Sequence, residues 1–201
     1  MATEEINEYY DITVDRPPRD DLKYAIDNVT GDKIAIDCGC GAGSDIAFLR
    51  DNGFKVHAFD IESESITRCK TRFHDDDDVI LSQASFASFN YPSATLITAD
   101  ASLFFCPKAE FDLVWRKIQE SLLPGGIFRG GFLGPKDTMA SKDYDKQAFW
   151  RDVLTFEEME LRAKFDGFDI IKFDVHDFLG KTAQGVPHHW HIFSVVAKKT
   201  S

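Results

Sequence analysis

Short apolar runs alternate with segments of helical period along most of the chain. Five runs read as strands, at residues 33–38, 55–59, 79–81, 94–98 and 127–133. Between them, apolar positions three, four and seven residues apart predict amphipathic helices, the clearest over residues 107–123. This alternation is typical of βαβ units in a mostly parallel sheet. Two more strand-like runs close the chain, at 168–178 and 190–197, and the lack of a helix between them predicts an antiparallel hairpin.

Turn and capping residues place the ends of the later elements. Pro124-Gly125-Gly126 is expected to end the helix over 107–123. Residues 135–154 have no sustained period, which predicts a long loop with one helical turn. The spacing of Thr155 and Glu158 predicts a capping box at the start of a helix that ends at Gly167.

The most specific chemistry lies in residues 37–43, DCGCGAG, directly after a strand and before a helix. Glycines there allow positive φ and bring a ligand close to the backbone, while the helix N-terminus offers free N–H groups. The dinucleotide fingerprint G-x-G-x-x-G/A does not fit. Counted from Gly39, its third required position is Ser44, and counted from Gly41 it is Ile46.

This pattern resembles motif I of class I S-adenosylmethionine-dependent methyltransferases, which is D-x-G-x-G-x-G followed by an acidic residue at the end of the next strand. That acidic residue is Asp60 here. The resemblance covers about residues 30–200. Within the class the chain is most similar to small-molecule methyltransferases of the tellurite-resistance type, through residues 102–107 (SLFFCP), residues 124–126 (PGG) and residues 189–191 (HWH).

The resemblance implies a Rossmann-like three-layer α/β/α sandwich, with a seven-stranded, mostly parallel sheet and a C-terminal antiparallel hairpin. S-adenosylmethionine would be the cofactor. Its binding residues would be Arg16, Asp37, Gly39, Cys40, Gly41, Asp60, Ile61, Ser85, Phe86 and Ala99. Ser85-Phe86 stands where the family often has an acidic residue that binds the adenine amino group, so the adenine contact departs from the pattern.

The acceptor pocket is expected above the carboxyl ends of the strands, the usual ligand crevice of open α/β sheets. Residues 1–30 are expected to form a helical lid over a methyltransferase domain at 31–201, in a chain that is one domain overall. The expected pocket residues are Tyr10, Phe104, Phe132, Trp150 and His191. Asp100, by its position after the fourth strand, and His189 are the candidates for a catalytic base.

Composition and charge disfavour several classes of binding partner. The 201 residues carry a formal net charge of −11, which disfavours nucleic acid, anionic membranes and polyanionic acceptors. The N-terminus lacks the features of a signal peptide, which predicts a cytoplasmic protein. The four cysteines are expected to be free thiols, and the histidines near the C-terminus lack an evident third metal ligand, so no metal is predicted.

Methylation of a small-molecule acceptor is therefore the expected function. A non-catalytic module that binds S-adenosylmethionine is the alternative, and a nicotinamide-dependent oxidoreductase fits the glycine spacing less well. Twelve of the 18 Phe and all three Trp follow residue 100, in the half where the acceptor is expected.

Overall fold

The computed structural model of the chain describes residues 4–142, 144 and 153–200. Its centre is a seven-stranded sheet in the order β3-β2-β1-β4-β5-β7-β6. The first five strands are parallel to one another, and β7 is antiparallel to both β5 and β6. The strands are β1 Ile34–Cys38, β2 Lys55–Asp60, β3 Val79–Gln83, β4 Ala94–Ala99, β5 Leu122–Leu133, β6 Phe168–Lys181 and β7 Pro187–Lys199. The predicted fold class is confirmed.

Six α-helices surround the described sheet. They are α1 Glu4–Thr13, α2 Asp20–Asp27, α3 Ser44–Asp51, α4 Ser63–Arg72, α5 Phe111–Ser121 and α6 Glu158–Lys164. Single 3₁₀ turns cover Leu103–Phe105 and Thr138–Ala140. The second of these lies in the segment predicted to be a loop with one helical turn.

Each face of the sheet carries its own apolar core. On one face Trp115 of α5 packs edge-on against Phe128 and Phe165, with ring centroids 5.0 and 5.1 Å apart. On the other face, fully buried Leu22 of α2 and Ile46 of α3 belong to a second cluster. Two cores on a central sheet are what the three-layer architecture requires.

Two boundaries around α5 differ from the sequence-based prediction. The helix begins at Phe111 rather than at residue 107, because residues 108–110 form a turn. The Pro-Gly-Gly segment lies inside β5 instead of between helix and strand. Pairing explains this: Ala94 pairs with Leu122 and Leu96 with Ile127, so the extra residues are accommodated as an irregularity in the ladder.

The predicted capping box at Thr155 is wrong. The helix α6 begins at Glu158, and no side chain caps its N-terminus. Thr155 instead forms an isolated parallel bridge with Leu133, and the backbone N–H of Phe156 donates to the Leu133 carbonyl at 2.9 Å. Pairing with the end of β5 has overridden the local capping signal.

The carboxyl ends of the parallel strands and the beginning of β7 meet at one edge of the sheet, and α1 lies across it. Arg68 of α4 binds Asp11 at 2.5 Å, and Arg72 donates to the Val14 carbonyl at 2.7 Å. These contacts hold the N-terminal helix over the edge where α/β folds bind their ligands. No helix in the described ranges is long and apolar enough to cross a membrane.

Candidate functional site

A cavity of about 1050 Å³ opens at this edge of the sheet. Its walls come from α1, the ends of β1, β2 and β4, the segment after β5, and the turn that joins β6 to β7. The volume is at the upper end of the ~300–1,000 Å³ usual for ligand pockets.

The glycine loop forms the floor of the cavity and is fixed by backbone and hydroxyl contacts. The N–H groups of Gly39 and Cys40 donate to the Phe59 carbonyl at 2.9 and 3.0 Å. Gly39 and Gly41 both have positive φ, 76° and 52°. A Cβ at position 39 would lie 2.6 Å from Cβ of Ser102, so the loop approaches its neighbour too closely for any side chain there.

Asp60 joins the glycine loop to the end of β2. One of its carboxylate oxygens accepts the N–H of Gly41 at 2.9 Å and the other accepts the N–H of Glu62 at 3.0 Å. Burial raises the pKa of Asp60, and these backbone hydrogen bonds oppose that rise. Each oxygen keeps a lone pair for a further donor, such as a ribose hydroxyl.

Asp37 provides an unsatisfied group at the same floor. Its side chain is buried, and Oδ2 has no hydrogen-bond partner among the described residues. Burial raises the pKa of Asp37 well above its usual range, and the nearby charge of Asp45 raises it further. A buried carboxyl oxygen beside a glycine loop fits a ligand that brings its own donor, such as the ammonium of a methionine moiety.

A buried arginine organises the wall behind this floor. Arg129 of β5 is fully buried and contacts three carboxylates: Asp21 at 2.6 Å, Asp100 at 3.1 Å and Asp45 at 3.4 Å. Its Nη1 also donates to the Thr98 hydroxyl at 3.1 Å. Sequence reasoning missed this residue, because one arginine in an apolar strand reads as a surface position. Its proximity to two glycines in the same strand was the only available signal.

Arg16 and Arg19 attach the N-terminal segment to the same group. Both contact Asp100, at 2.8 and 3.0 Å, and Arg16 also lies 3.5 Å from Asp45. Although burial alone would raise it, the charges of Arg129, Arg19 and Arg16 lower the pKa of Asp100 to about 2. A carboxylate so stabilised is a weak proton acceptor, so the geometry favours a positioning role for Asp100 over the expected role of base.

Most of the residues predicted to bind the cofactor are brought together at the cavity. Arg16, Asp37, Gly39, Cys40, Gly41, Asp60, Ile61, Ser85 and Phe86 all line it. Ala99 does not: it is fully buried at the end of β4, and the two residues that follow it, Asp100 and Ala101, line the wall instead. Ser85 occupies the position where the family often has an acidic residue. Its hydroxyl forms a hydrogen bond of 3.1 Å with the hydroxyl of Ser88 in a local turn.

Only some of the residues predicted to form the acceptor pocket line the cavity. Tyr10 and Phe104 line the cavity. Phe132 does not, because it is part of the aromatic core, with its ring 5.8 Å from that of Phe156 and 6.2 Å from that of Trp115. His191 is buried with Nδ1 accepting the N–H of Lys136 at 3.1 Å, and it lies outside the cavity lining. Trp150 lies outside the described residues.

The histidines of β7 are placed by the two-residue period of the strand. His189 points outward and contacts Asp177 of β6 at 2.7 Å, away from the cavity. His188 and Trp190 share the opposite face, line the cavity and stack with ring centroids 3.9 Å apart. The sequence contained this alternation, but without the sheet it did not show which of the two faces meets the ligand.

Among residues 4–142, 144 and 153–200, no group of three or more His, Cys, Asp or Glu side chains is placed to hold a metal ion. The described cysteines, Cys38, Cys40, Cys69 and Cys106, are buried free thiols.

Residues 35–126 match the model of a protein family described as a methyltransferase domain. The match begins in β1 and ends in the first part of β5, so it includes the glycine loop and Asp60 but not the hairpin. No curated protein matches the chain by sequence.

Solved structures with the same fold include several methyltransferases. TehB from Haemophilus influenzae aligns with a TM-score of 0.74 at 15% identity, over 92% of this chain and 63% of TehB. The chain thus spans less than two thirds of the length of that relative. N-methyltransferase NodS from Bradyrhizobium japonicum WM9, solved with S-adenosyl-L-homocysteine, aligns with a TM-score of 0.65 at 12% identity, over 98% of this chain and 88% of NodS.

A third similar structure comes from a complex that contains the Haloferax volcanii Trm112 methyltransferase activator. It aligns with a TM-score of 0.70 at 15% identity and covers 100% of both chains. At these identities the likeness concerns the fold.

Proposed function

We propose that this chain, whose residues 35–126 match the model of a methyltransferase domain, binds S-adenosylmethionine and transfers its methyl group to a small-molecule acceptor bound in the same cavity. One observation carries the proposal. The glycine loop, Asp37 and Asp60 open into a cavity whose other walls come from α1, the segment after β5 and the turn that joins β6 to β7. The site proposed for the methyl donor and the space proposed for the acceptor are therefore adjacent.

The residues of the floor have distinct roles in this proposal. Asp37 accepts a hydrogen bond from the methionine portion of the cofactor, against the bare backbone of Gly39 and Gly41. Asp60 accepts from the ribose hydroxyls, and Ile61 packs on adenine. Bound in this way, the cofactor supplies an electrophilic methyl group on a positively charged sulfur. The protein contributes position and exclusion of water, which are worth up to ~7–11 kcal/mol of a displacement barrier.

The acceptor is proposed to be small because α1 crosses the cavity and is tied down on two sides. Arg16 contacts Asp100 and Asp45, and Arg68 contacts Asp11. A nucleic acid would have to displace this helix against a net charge of −11. NodS, described as an N-methyltransferase, shows that the fold supports methylation of nitrogen. A cytoplasmic location belongs to the same proposal.

The resemblance to the tellurite-resistance type gives a second candidate for the acceptor, an oxyanion. The fold shared with TehB agrees with that resemblance. The charge of the cavity disfavours an oxyanion acceptor. Eight carboxylate residues line it, whereas Arg16 is its only lining arginine or lysine among the described residues. That arginine is held by carboxylates, so an oxyanion would meet net negative charge.

Binding of S-adenosylhomocysteine tests the proposal. At ~100 times its Kd the ligand is expected to stabilise the wild-type protein by ~2.7 kcal/mol, measured as a thermal shift. Gly41→Ala should remove this shift, because the new Cβ occupies the space through which the ligand approaches the loop. The protein itself tolerates this Cβ, since its only neighbour within 4 Å is Tyr10, at 3.8 Å. Gly31→Ala is the matched control, since it also has positive φ but lies in open space.

The comparison of these two variants separates folding from binding. Both carry the strain of a side chain at positive φ, so both should lose similar stability without ligand. Only Gly41→Ala should lose the ligand-induced shift. Absence of a shift in the wild-type protein would refute the proposal. Wild-type binding with conversion of no member of a broad acceptor panel would instead support a non-catalytic module that binds the cofactor.

A further inference from the structure

A buried histidine and aspartate form a pair at the acceptor side of the cavity. Nε2 of His188 lies 2.9 Å from Oδ1 of Asp137, with side-chain exposures of 4% and 0%. Asp137 is itself fixed, because Oδ2 accepts the N–H of His191 at 3.0 Å and Oδ1 accepts the N–H of Met139 at 3.0 Å. A carboxylate that accepts from Nε2–H leaves the lone pair of the imidazole on Nδ1.

The other ring nitrogen of His188 is Nδ1. No residue in the described part of the chain hydrogen-bonds to Nδ1, and His188 lines the cavity. The ring packs against Trp190, with the ring centroids 3.9 Å apart and the planes inclined by 32°. An imidazole oriented by a buried carboxylate, with its second nitrogen free at a ligand cavity, has the arrangement of a general base.

The charges of the cavity restrict what this base acts on. Glu5 and Glu8 of α1 and Glu110 before α5 line the cavity, and none forms an ion pair with another described residue. Trp190 and Phe104 contribute aromatic surface to the same walls. Carboxylates together with aromatic rings attract a cation, and they repel a nucleophile that is already an anion.

We propose that His188, held by Asp137, is the catalytic base of an acceptor subsite for a protonated amine. The inference rests on the proposed methyl transfer and names its substrate class. An ammonium ion is attracted by the acidic wall but has no lone pair to attack with, so it must lose a proton inside the cavity. We assign that proton to His188, the imidazole in the cavity lining, whose Nδ1 has no hydrogen-bond partner among the described residues.

Proton transfer precedes methyl transfer in this proposal. Nδ1 of His188 accepts one proton from R–NH₃⁺. The ring thereby becomes an imidazolium, which Asp137 stabilises. The amine nitrogen of R–NH₂ then forms a bond to the methyl carbon, while the carbon–sulfur bond breaks and its electron pair stays on sulfur. The products are R–NH₂CH₃⁺ and neutral S-adenosylhomocysteine. His188 afterwards returns its proton to solvent.

A series of probes with one body and three charges tests the substrate class. The probes are 2-phenylethylamine, 2-phenylethanol and phenylacetate. We expect only the amine to raise the melting temperature of the S-adenosylhomocysteine complex, and only the amine to gain one methyl group by mass spectrometry when S-adenosylmethionine is supplied. Methylation of the alcohol or the acid in preference to the amine, or no response to any of the three, would overturn the inference.

Variants of the neighbouring histidines test the base. His188→Gln should lower kcat for the amine ~100-fold, at the lower end of the general-base contribution, with KM changed by less than ~3-fold. His189→Gln is the discriminating variant, because it changes the next residue of the same strand but on the face away from the cavity. His74→Gln, on an exposed turn, is the neutral control. Loss of activity in His189→Gln but not in His188→Gln would overturn the assignment.

A spectroscopic measurement on the wild-type protein keeps the test independent of how the variant folds. With S-adenosylhomocysteine bound, the ¹⁵N shifts of the His188 ring should show the neutral tautomer protonated on Nε2. Protonation of Nδ1 instead would contradict the base. The proposed function and this inference fail separately. If S-adenosylhomocysteine does not bind, the proposed function is refuted. If it binds but His188 is protonated on Nδ1, or the amine is not the preferred probe, only the inference about His188 and the amine is refuted.

Discussion

The two sides of the cavity are built differently. On the side proposed to bind the cofactor, called the cofactor side below, the contacts run among β1, β2 and the loop and helix that follow them, mostly through backbone atoms such as the N–H groups of Gly39 and Gly41. On the side proposed to bind the acceptor, called the acceptor side, α1, the segment after β5 and the start of β7 contribute side chains from distant parts of the chain. His188 and its partner Asp137, for example, are 51 residues apart.

The difference shows why one side is easier to recognise than the other. A ligand read by backbone N–H groups and a glycine loop demands particular residues at fixed spacing, so its site leaves a motif. A ligand read by side chains on separate elements demands only that the elements meet. The family match accordingly ends within β5, before the residues of the acceptor side.

The largest effect is expected where a buried charge joins the layers. Arg129→Met removes the cation shared by Asp21, Asp45 and Asp100 and leaves their carboxylates uncompensated. We expect a loss of ~3–5 kcal/mol in the free energy of unfolding, measured in urea at neutral pH. The exposed pair of Lys23 and Asp20 gives the control, since Lys23→Met should cost less than ~1 kcal/mol. Equal losses would show that Arg129 does not anchor the cofactor side.

A pair of glycine substitutions compares the two sides directly. Gly39→Ala combines the strain of positive φ with a Cβ 2.6 Å from Cβ of Ser102, and should cost about 2–3 kcal/mol in urea unfolding. Gly185→Ala, in the turn joining β6 and β7, meets nothing within 4 Å and should cost about 1 kcal/mol. Similar costs would mean that the cofactor loop is no more tightly packed than the hairpin.

Two aspartates of the cofactor side should respond to pH with opposite sign. The pKa of Asp37 is raised, so its ionisation weakens the ligand-free fold as pH increases above the unfolded pKa of about 3.9. The pKa of Asp100 is lowered to about 2, so its contribution is full above the unfolded pKa and is lost as pH falls towards 2.

Substitution by asparagine makes the contrast measurable. At pH 7.5, Asp37→Asn should stabilise the ligand-free protein by about 1 kcal/mol while removing the S-adenosylhomocysteine shift. Asp100→Asn should destabilise it, and the difference from wild type should shrink on acidification. Thermal unfolding between pH 3 and pH 8 measures both. A ligand shift retained in Asp37→Asn would exclude this carboxylate from binding.

The smallest effect on stability is expected at Ile61, which is 55% exposed although apolar. Ile61→Ala should change the free energy of unfolding by less than ~0.5 kcal/mol. It should nevertheless weaken S-adenosylhomocysteine binding several-fold by calorimetry, since each buried methylene is worth ~0.8 kcal/mol. Leu179→Ala is the control, because Leu179 is more exposed still and lies outside the cavity. Unchanged affinity in Ile61→Ala would show that this side chain does not cover the ligand.

Much of the fold follows from period alone, because strands and helices impose different spacings on apolar residues. The errors occur where pairing competes with local signals. Pro124 and the glycines after it read as a helix stop but lie in β5, and Thr155 reads as a cap but pairs with Leu133. In both cases the competing partner is distant in sequence and left no local trace.

By itself the sequence determined the order of the strands and helices, the glycine loop and Asp60, because these depend on residue types at short, regular spacing. Only the tertiary structure decided which histidine of β7 meets the cavity, that Phe132 belongs to the core, and that Asp100 is neutralised by three arginines from two segments of the chain. Those properties depend on which faces pack together. A strand has two faces with the same period, and only the neighbouring elements distinguish between them.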